Sequence, residues 1–221
     1  RAARHPGRPH PLGLRVDGYW LVPWLRADGA DLAAGAIDDD GAVRAVAAFA
    51  SLFGDLAPPP PPAGGEAPEE LRRWTAHEVA YWVTGPWQIG ALHDRERLAV
   101  SPLAHAPRGG QLLVVPTCAK NPADGWRLAR ELTSVDVQKK LADVFATVPT
   151  RTSTLAAAPP LVQQIHDALA SAETLPRSPL TPQLFDDLNP ALAAVISGDA
   201  TAEEAIAGVR RGWRRLETRT P

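Results

Sequence analysis

The stretch AKNPADGWRLARELTSVDVQKKLADVFATVPTRTSTL, residues 119–155, predicts two helices joined by a short polar turn. The first helix spans about 121–134, because Asn121 is a favoured N-cap residue and Pro122 suits the first turn. The second spans about 135–149 and ends at Pro149, whose ring cannot continue a helix. Just before this pair, the apolar run Leu112 to Val115 follows two glycines and predicts a buried strand.

Upstream of this pair, one amphipathic helix and two short strands are predicted. Apolar residues at steps of three and four favour a helix over 40–56, which starts after a cluster of aspartates that suits a helix N-terminus. Strands are expected over 77–87, entering a turn at Gly85-Pro86, and over 98–103. The face that the helix is expected to bury carries Val43, Val46, Ala47, Ala50 and Phe53, and the aspartates are Asp38, Asp39 and Asp40.

Downstream, helices are predicted over about 160–172, 183–197 and 201–216. The last begins with Thr201 and Glu204 at capping-box spacing, in which each side chain bonds the backbone N–H of the other residue. One face of this helix carries Ala205, Val209, Trp213 and Leu216, and is expected to be buried. Short strands mixed with many helices predict an α/β fold class.

The segment APPPPPAGGEAP, residues 57–68, is the low-complexity stretch of the chain. Consecutive prolines favour an extended polyproline helix and supply no backbone N–H groups for a sheet. We interpret it as a surface loop inserted within a domain. A proline-motif ligand for another protein is the alternative interpretation.

Composition excludes several classes of function. The 23 Lys and Arg residues nearly balance the 25 Asp and Glu residues, whereas nucleic-acid binders are usually basic, so no nucleic acid is expected as a partner. No run approaches the roughly 18 apolar residues of a membrane-spanning helix. A single cysteine, Cys118, permits neither an internal disulfide nor a cysteine-based zinc site. The absence of methionine predicts a processed form or a fragment of a longer chain.

Catalytic, metal-binding and cofactor-binding motifs are not found in the sequence. The chain has no nucleophile elbow, phosphate-binding loop, zinc-protease motif or dinucleotide fingerprint. Its six histidines lack ligand spacing with one another, and the adjacent acidic pairs point to different faces of their helices. We therefore expect no catalytic residues, no metal and no cofactor.

Aromatic residues remain as candidates for ligand binding. The chain has seven Trp against four Phe and two Tyr, and several of them stand close to Gly or Pro. A tryptophan held rigidly by such a turn offers a flat apolar face to the C–H face of a sugar ring. Burial in the core is the ordinary alternative for each of them.

Four segments together resemble the later part of the sugar-binding solute-binding proteins of ABC importers, the family of maltose-binding protein. Residues 119–155 are similar to the family's Asn-Pro helix, Thr-Ser joint, helix with Gln and closing Pro-x-Arg. The others are GYWLVPWLRADGADL (18–32), WTAHEVAYWVTGPWQIG (74–90) and TPQLFDDLNPALAAVISGDATAEEAIAGVRRGWRRL (181–216). The second of these departs from the family pattern at His77 and Tyr81. In the third, Phe185 stands where the family often has a sugar-stacking Trp.

The resemblance implies a set of ligand-contacting residues. It places Trp87, which follows Gly-Pro, and Tyr19 at sugar-contacting aromatic positions, and Phe185 at a third. Trp20 and Trp24 are weaker candidates because one face of their segment must be buried. Arg151, in the Pro-x-Arg motif, is expected to make either a hinge contact or a ligand contact. Trp82, Trp126 and Trp213 are expected to be core residues.

The resemblance further implies a type II periplasmic-binding-protein-like fold that begins inside the second lobe. Residues 1–108 and 157–221 would build the C-terminal lobe, and 109–156 would return to a mostly absent N-terminal lobe. Such a protein binds a di- or oligosaccharide in an aromatic-lined interlobe cleft and has ABC permease subunits as partners. Its compartment would be extracytoplasmic, as a membrane-anchored lipoprotein or a secreted protein.

Two other functions stay open at this point. The same fold could bind a non-sugar solute, such as a polyamine or a glycerol phosphate ester. It could also serve as a protein-interaction module without a transport role, with the proline-rich loop as its binding segment. The apolar surface of 109–156 is expected to be covered by the missing N-terminal lobe or a partner chain, or to be weakly ordered when the chain is alone.

Overall fold

The computed structural model describes residues 7–30, 37, 39–59, 69–175 and 181–217. It divides into two compact units. Unit 1 comprises residues 1–84, 103–107 and 173–221, and unit 2 comprises residues 85–102 and 108–172. The predicted returning segment, 109–156, lies wholly in unit 2, which also contains 85–102 and 157–172. How these segments divide between lobes stays a prediction.

Helices dominate the described residues, and each strand is only two residues long. In chain order the helices are α1 (Gly18–Ala27), α2 (Asp39–Ala50), α3 (Glu69–Thr75), α4 (Pro122–Leu132), α5 (Val135–Phe145), α6 (Thr152–Ala156), α7 (Pro160–Ala168), α8 (Thr181–Ser197) and α9 (Ala202–Glu217). Short 3-10 helices cover Pro86–Ala91, Arg95–Arg97 and Leu169–Ser171. The strands are β1 (Leu12–Gly13), β2 (Tyr81–Trp82), β3 (Pro107–Arg108) and β4 (Glu173–Thr174). β1 pairs in parallel with β2, and β3 pairs with β4.

The core of unit 1 is formed by α1, α2, α8 and α9. Each helix turns an apolar face inward, and the contacts remove these side chains almost completely from water, which is the main source of stability in a helical unit. The largest of the fully buried side chains belong to Trp213, Phe49, Leu21, Leu25, Leu188, Leu192 and Ile206.

Local sequence signals predicted α9 correctly. Thr201 N–H donates to Oε2 of Glu204 at 2.9 Å, and Glu204 N–H donates to Oγ1 of Thr201 at 3.2 Å, so the capping box is confirmed. The predicted face is confirmed at Ala205, Val209 and Trp213, all of which are buried. The side chain of Leu216 lies outside the described residues.

The buried face of α2 differs from the predicted one. Ala42, Ala45, Val46 and Phe49 are buried, whereas Ala47 is exposed. The prediction placed the first residue of the buried face at Val43. The same spacing of three and four residues, started at Ala42, gives the face that is buried in the structure. Asp38 and the side chain of Asp39 lie outside the described residues, as does most of the proline-rich segment, residues 60–68.

The strand predictions were largely wrong. Residues 77–87 contain only the two-residue β2, and 98–103 and 112–115 form no strand. Leu112 and Val114 are 86% and 78% exposed, rather than buried. A strand needs a neighbour that accepts and donates its backbone hydrogen bonds, and the described residues supply none to 112–115.

Unit 2 has a smaller core of its own. Ile89, Ala142, Ala146, Val162 and Ile165 form this core together with Ala158. Helix α4 buries none of its residues, and Trp126, predicted to be core, is half exposed. The prediction for Trp126 was wrong because the apolar stripe of α4 packs against no other described element that would bury it.

Candidate functional site

Two side chains from distant parts of the sequence fix the N-terminus of α1 in unit 1. Oδ1 of Asp17 accepts the N–H of Tyr19 at 2.8 Å, as an N-cap does. Oδ1 of Asn189, on α8, accepts the N–H of Gly18 at 2.7 Å. A Cβ on Gly18 would lie about 3 Å from Asn189, Leu188 and Phe185, so this glycine allows α1 and α8 to approach closely. The position of Tyr19 relative to α8 follows from these contacts.

Three of the predicted ligand-contacting aromatics lie together here. The ring of Tyr19 contacts that of Phe185, with centroids 6.4 Å apart, and contacts that of Trp20 edge-on at 5.4 Å. All three rings are partly exposed. Burial raises the pKa of the Tyr19 phenol, and the charge of Arg26 opposes that rise. The phenol is therefore neutral at physiological pH and can donate a hydrogen bond to a hydroxyl group.

Trp24, a weaker candidate, packs toward the core of unit 1. Its indole meets the buried ring of Phe49 edge-on, with centroids 5.0 Å apart. Trp24 lies one turn beyond Trp20 on α1, and both are partly buried against the same core. The contact with Phe49 gives Trp24 a packing role.

Arg26, in the last turn of α1, bonds the backbone next to the points where the chain passes between units 1 and 2. Its guanidinium donates to the carbonyl oxygens of His105 and Glu173 at 3.2 Å each, and to that of Thr174 at 2.9 Å. It also forms an ion pair with the Glu173 carboxylate, whose other oxygen lies 2.6 Å from Nδ1 of His105. Sequence reasoning missed Arg26, because its partners are about 80 and 150 residues away.

Trp87 lies in unit 2, on the 3-10 helix Pro86–Ala91. Ile89 anchors this helix in the core of unit 2. Arg95 holds its end, because the guanidinium donates to the carbonyl oxygen of Gly90 at 2.6 Å and to that of Val144, on α5, at 2.7 Å. The indole of Trp87 is 60% exposed. A rigid short helix therefore presents a large apolar ring to solvent.

Arg151 is bound to the joint between α4 and α5. Its Nε donates to the carbonyl oxygen of Thr133 at 2.7 Å, and its backbone N–H donates to Oε1 of Gln138 at 3.2 Å. These contacts give Arg151 a structural role at the joint between α4 and α5, and the hinge contact or ligand contact expected of it stays a prediction. Gln138, which is 8% exposed, is the centre of the arrangement and was not predicted as such.

The structure thus brings Tyr19, Trp20 and Phe185 together in unit 1, and places Trp87 and Arg151 separately in unit 2. Among the described residues, no cluster of three or more His, Cys, Asp or Glu side chains is suited to hold a metal ion. Across the same residues, none of the helices combines the length and apolar character that crossing a membrane requires.

No protein-family model matches the chain, and no curated protein matches it either. Several solved structures do match the chain. The GacH receptor of Streptomyces glaucescens GLA.O, determined unliganded and in complex with acarbose, superposes with a TM-score of 0.82 at 26% identity, covering 98% of this chain and 61% of that one. MalX from Streptococcus pneumoniae, in complex with maltopentaose, gives 0.80 at 18% identity, covering 97% and 63%.

A third similar structure is an ABC transporter solute-binding protein from Thermotoga lettingae TMO, bound with α-D-tagatose. Its TM-score is 0.69 at 22% identity, and the match covers 95% of this chain and 60% of that one. The chain therefore has the type II periplasmic-binding-protein fold, which confirms the predicted fold class. It spans about three fifths of the length of these structures, consistent with a C-terminal portion.

Proposed function

We propose that this chain is the C-terminal portion of a solute-binding protein that captures a di- or oligosaccharide for an ABC importer. The observation that carries the proposal is the match over 98% of the chain to the GacH receptor, whose structure was determined with acarbose. Two further neighbours were solved with maltopentaose and with α-D-tagatose. On this proposal the chain is a binding protein and not an enzyme.

The aromatic side chains support a sugar as the solute. The C–H faces of a pyranose pack well on an indole or phenol ring, and the gain comes from apolar area removed from water. The exposed ring of Trp87 offers such a face, and so do the partly exposed rings of Tyr19 and Phe185. In the proposed mechanism the complete two-lobed fold closes around the sugar in its interlobe cleft, and the closed form docks on the permease.

The proposed partners and compartment follow from this role. The membrane subunits of an ABC permease receive the loaded protein, which requires an extracytoplasmic location. A lipid anchor or secretion would both satisfy that requirement.

An exposed apolar surface in unit 2 supports a further part of the proposal. Leu112, Val114, Trp126, Leu128 and Val135 are each about half exposed or more. Several large apolar side chains left exposed within one segment of a chain are unusual in a soluble protein unless another surface covers them. We infer that the remaining lobe of the fold, or a partner chain in its place, covers it.

This inference predicts uneven hydrogen exchange within unit 2 when the chain is alone. Amides of α4, which buries no residue, should exchange much faster than those of α7, where Val162 and Ile165 are buried. Exchange followed by mass spectrometry on a monomer verified by sedimentation will measure both helices. Slow exchange across 109–135 in that monomer would contradict the inference, because the surface would then need no cover.

Replacing Trp87 by alanine should weaken sugar binding by about 2 kcal/mol, or roughly thirtyfold in Kd, since aromatic anchors contribute most of the energy at such sites. The measurement is calorimetric titration of the two-lobed protein with maltotriose, maltopentaose and acarbose. Tyr81→Ala is the control, because Tyr81, on β2 in unit 1, is an aromatic residue of similar exposure that lies outside the surface inferred to be covered. Wild-type affinity in Trp87→Ala, with the fold intact, would rule out Trp87 as a sugar platform.

A further inference from the structure

Gly85 precedes the 3-10 helix that carries Trp87, and its backbone does not require glycine. Its φ is −104° and its ψ is 165°, an extended conformation that any residue adopts. The sequence predicted a turn at Gly85-Pro86, but the backbone conformation of Gly85 gives no reason for glycine there. The presence of glycine at this position therefore needs another explanation.

The space beside Gly85 is occupied by the indole of Trp87. A Cβ on Gly85 would lie 2.1 Å from both Cη2 and Cζ3 of that ring and 2.5 Å from Cε3. Carbon atoms in contact are about 3.5–4.0 Å apart, so a methyl group and the ring cannot share this volume. By contrast, a Cβ on Gly109, in the same unit, would meet nothing within 4 Å.

We propose that Gly85 is a positioning residue for Trp87. Because Gly85 has no side chain, the indole occupies the space that a side chain would fill and is held in that orientation. This rests on the proposed function, in which Trp87 contacts the sugar. A ring held in one orientation before the sugar arrives loses less conformational freedom on binding. The glycine thus contributes to affinity without touching the ligand.

An alanine at this position should move the ring and leave the fold in place. The backbone tolerates the methyl group, and the helix keeps its anchors, which are buried Ile89 and the bonds from Arg95 to Gly90 and Val144. The indole is the group expected to move, because the atoms nearest to the added methyl group belong to the outer ring of a side chain with two rotatable bonds. Gly85→Ala therefore separates the orientation of Trp87 from the stability of unit 2.

Fluorine NMR tests the positioning role without any sugar. The chain is labelled with tryptophan that carries fluorine on Cζ2, a ring atom that is not among the three nearest to Gly85, and Trp87→Phe assigns the resonance. Gly85→Ala should shift or broaden the Trp87 resonance and leave the other tryptophan resonances in place, whereas Gly109→Ala should move none. An unchanged Trp87 resonance in Gly85→Ala overturns the proposal.

Sugar titrations then test what the orientation contributes. The titrations use the two-lobed protein and whichever of maltotriose, maltopentaose and acarbose binds it most tightly. Gly85→Ala should raise the Kd for this sugar by about tenfold or more, a loss of affinity that approaches the loss caused by Trp87→Ala. Adding Gly85→Ala to Trp87→Ala should cause no further loss, because no indole remains to be positioned. Wild-type affinity in Gly85→Ala beside weak binding in Trp87→Ala overturns the proposal. If neither variant changes affinity, the sugar-contact function of Trp87 fails, and the NMR result alone decides the positioning role.

Discussion

Replacing Trp213 by alanine should lower the free energy of unfolding by about 3–5 kcal/mol, the usual cost of removing a large aromatic side chain from a core. Trp213 is 2% exposed and lies on α9 among the buried side chains of α2 and α8. Its indole Nε1 also donates to the carbonyl oxygen of Leu184 at 3.2 Å, and alanine leaves this buried acceptor without its donor. Urea unfolding followed by circular dichroism will measure the loss.

Trp126→Ala provides the matched control for that experiment. It removes the same side chain from the middle of another amphipathic helix, but from a half-exposed position. The expected change is below about 1 kcal/mol, as for surface substitutions without a special contact. Equal losses in the two variants would show that burial in the isolated chain does not distinguish them, and would contradict the core assigned to unit 1.

The contrast between these two tryptophans shows what sequence patterns could predict. Both lie on helices with clear apolar stripes, and both were expected to be core. The stripe of α9 meets α2 and α8 within this chain, whereas the stripe of α4 has no such partner among the described residues. A periodic pattern reveals that a face is apolar, but what covers that face depends on the rest of the fold.

Strands were harder to predict than helices for a related reason. The hydrogen bonds of α9 join residues three or four positions apart, so Thr201 and Glu204 were enough to predict where this helix begins. The bonds of a strand depend on a neighbour far away in sequence, as Leu12 and Tyr81 show. The apolar character of residues 112–115 therefore predicted a strand that does not form.

The aromatic residues of the candidate site were proposed from the resemblance. The hydrogen bonds that position them could not be predicted from the sequence. Tyr19 and Phe185 could be named from motifs, but the bond from Gly18 to Asn189 that sets α1 against α8 joins residues 171 positions apart. Arg26 is similar, since its acceptors belong to two distant segments. No spacing rule connects such residues, because only the folded chain brings them together.

Gln138→Leu should destabilise unit 2 by about 2–4 kcal/mol, because each polar group left without a partner costs roughly 1–3 kcal/mol. The amide of Gln138 makes bonds on both sides. Its Oε1 accepts the backbone N–H groups of Thr150 and Arg151 at 2.9 and 3.2 Å, and its Nε2 donates to the carbonyl oxygen of Thr133 at 3.1 Å. Leucine keeps a similar volume on α5 and satisfies none of these groups.

The same substitution at Gln163 isolates the effect of the hydrogen bonds in this prediction. Gln163 is also helical and in unit 2, but it is exposed and its amide makes one bond, to the carbonyl oxygen of Ala158 at 2.9 Å. Gln163→Leu should therefore cost less than about 1 kcal/mol. Hydrogen exchange at the amides of Thr150 and Arg151 supplies the local measurement, since both should lose protection in Gln138→Leu alone. Full protection at these two amides would mean that Gln138 does not hold the α4–α5 joint, and Arg151 would then lose the support that argues for its structural role.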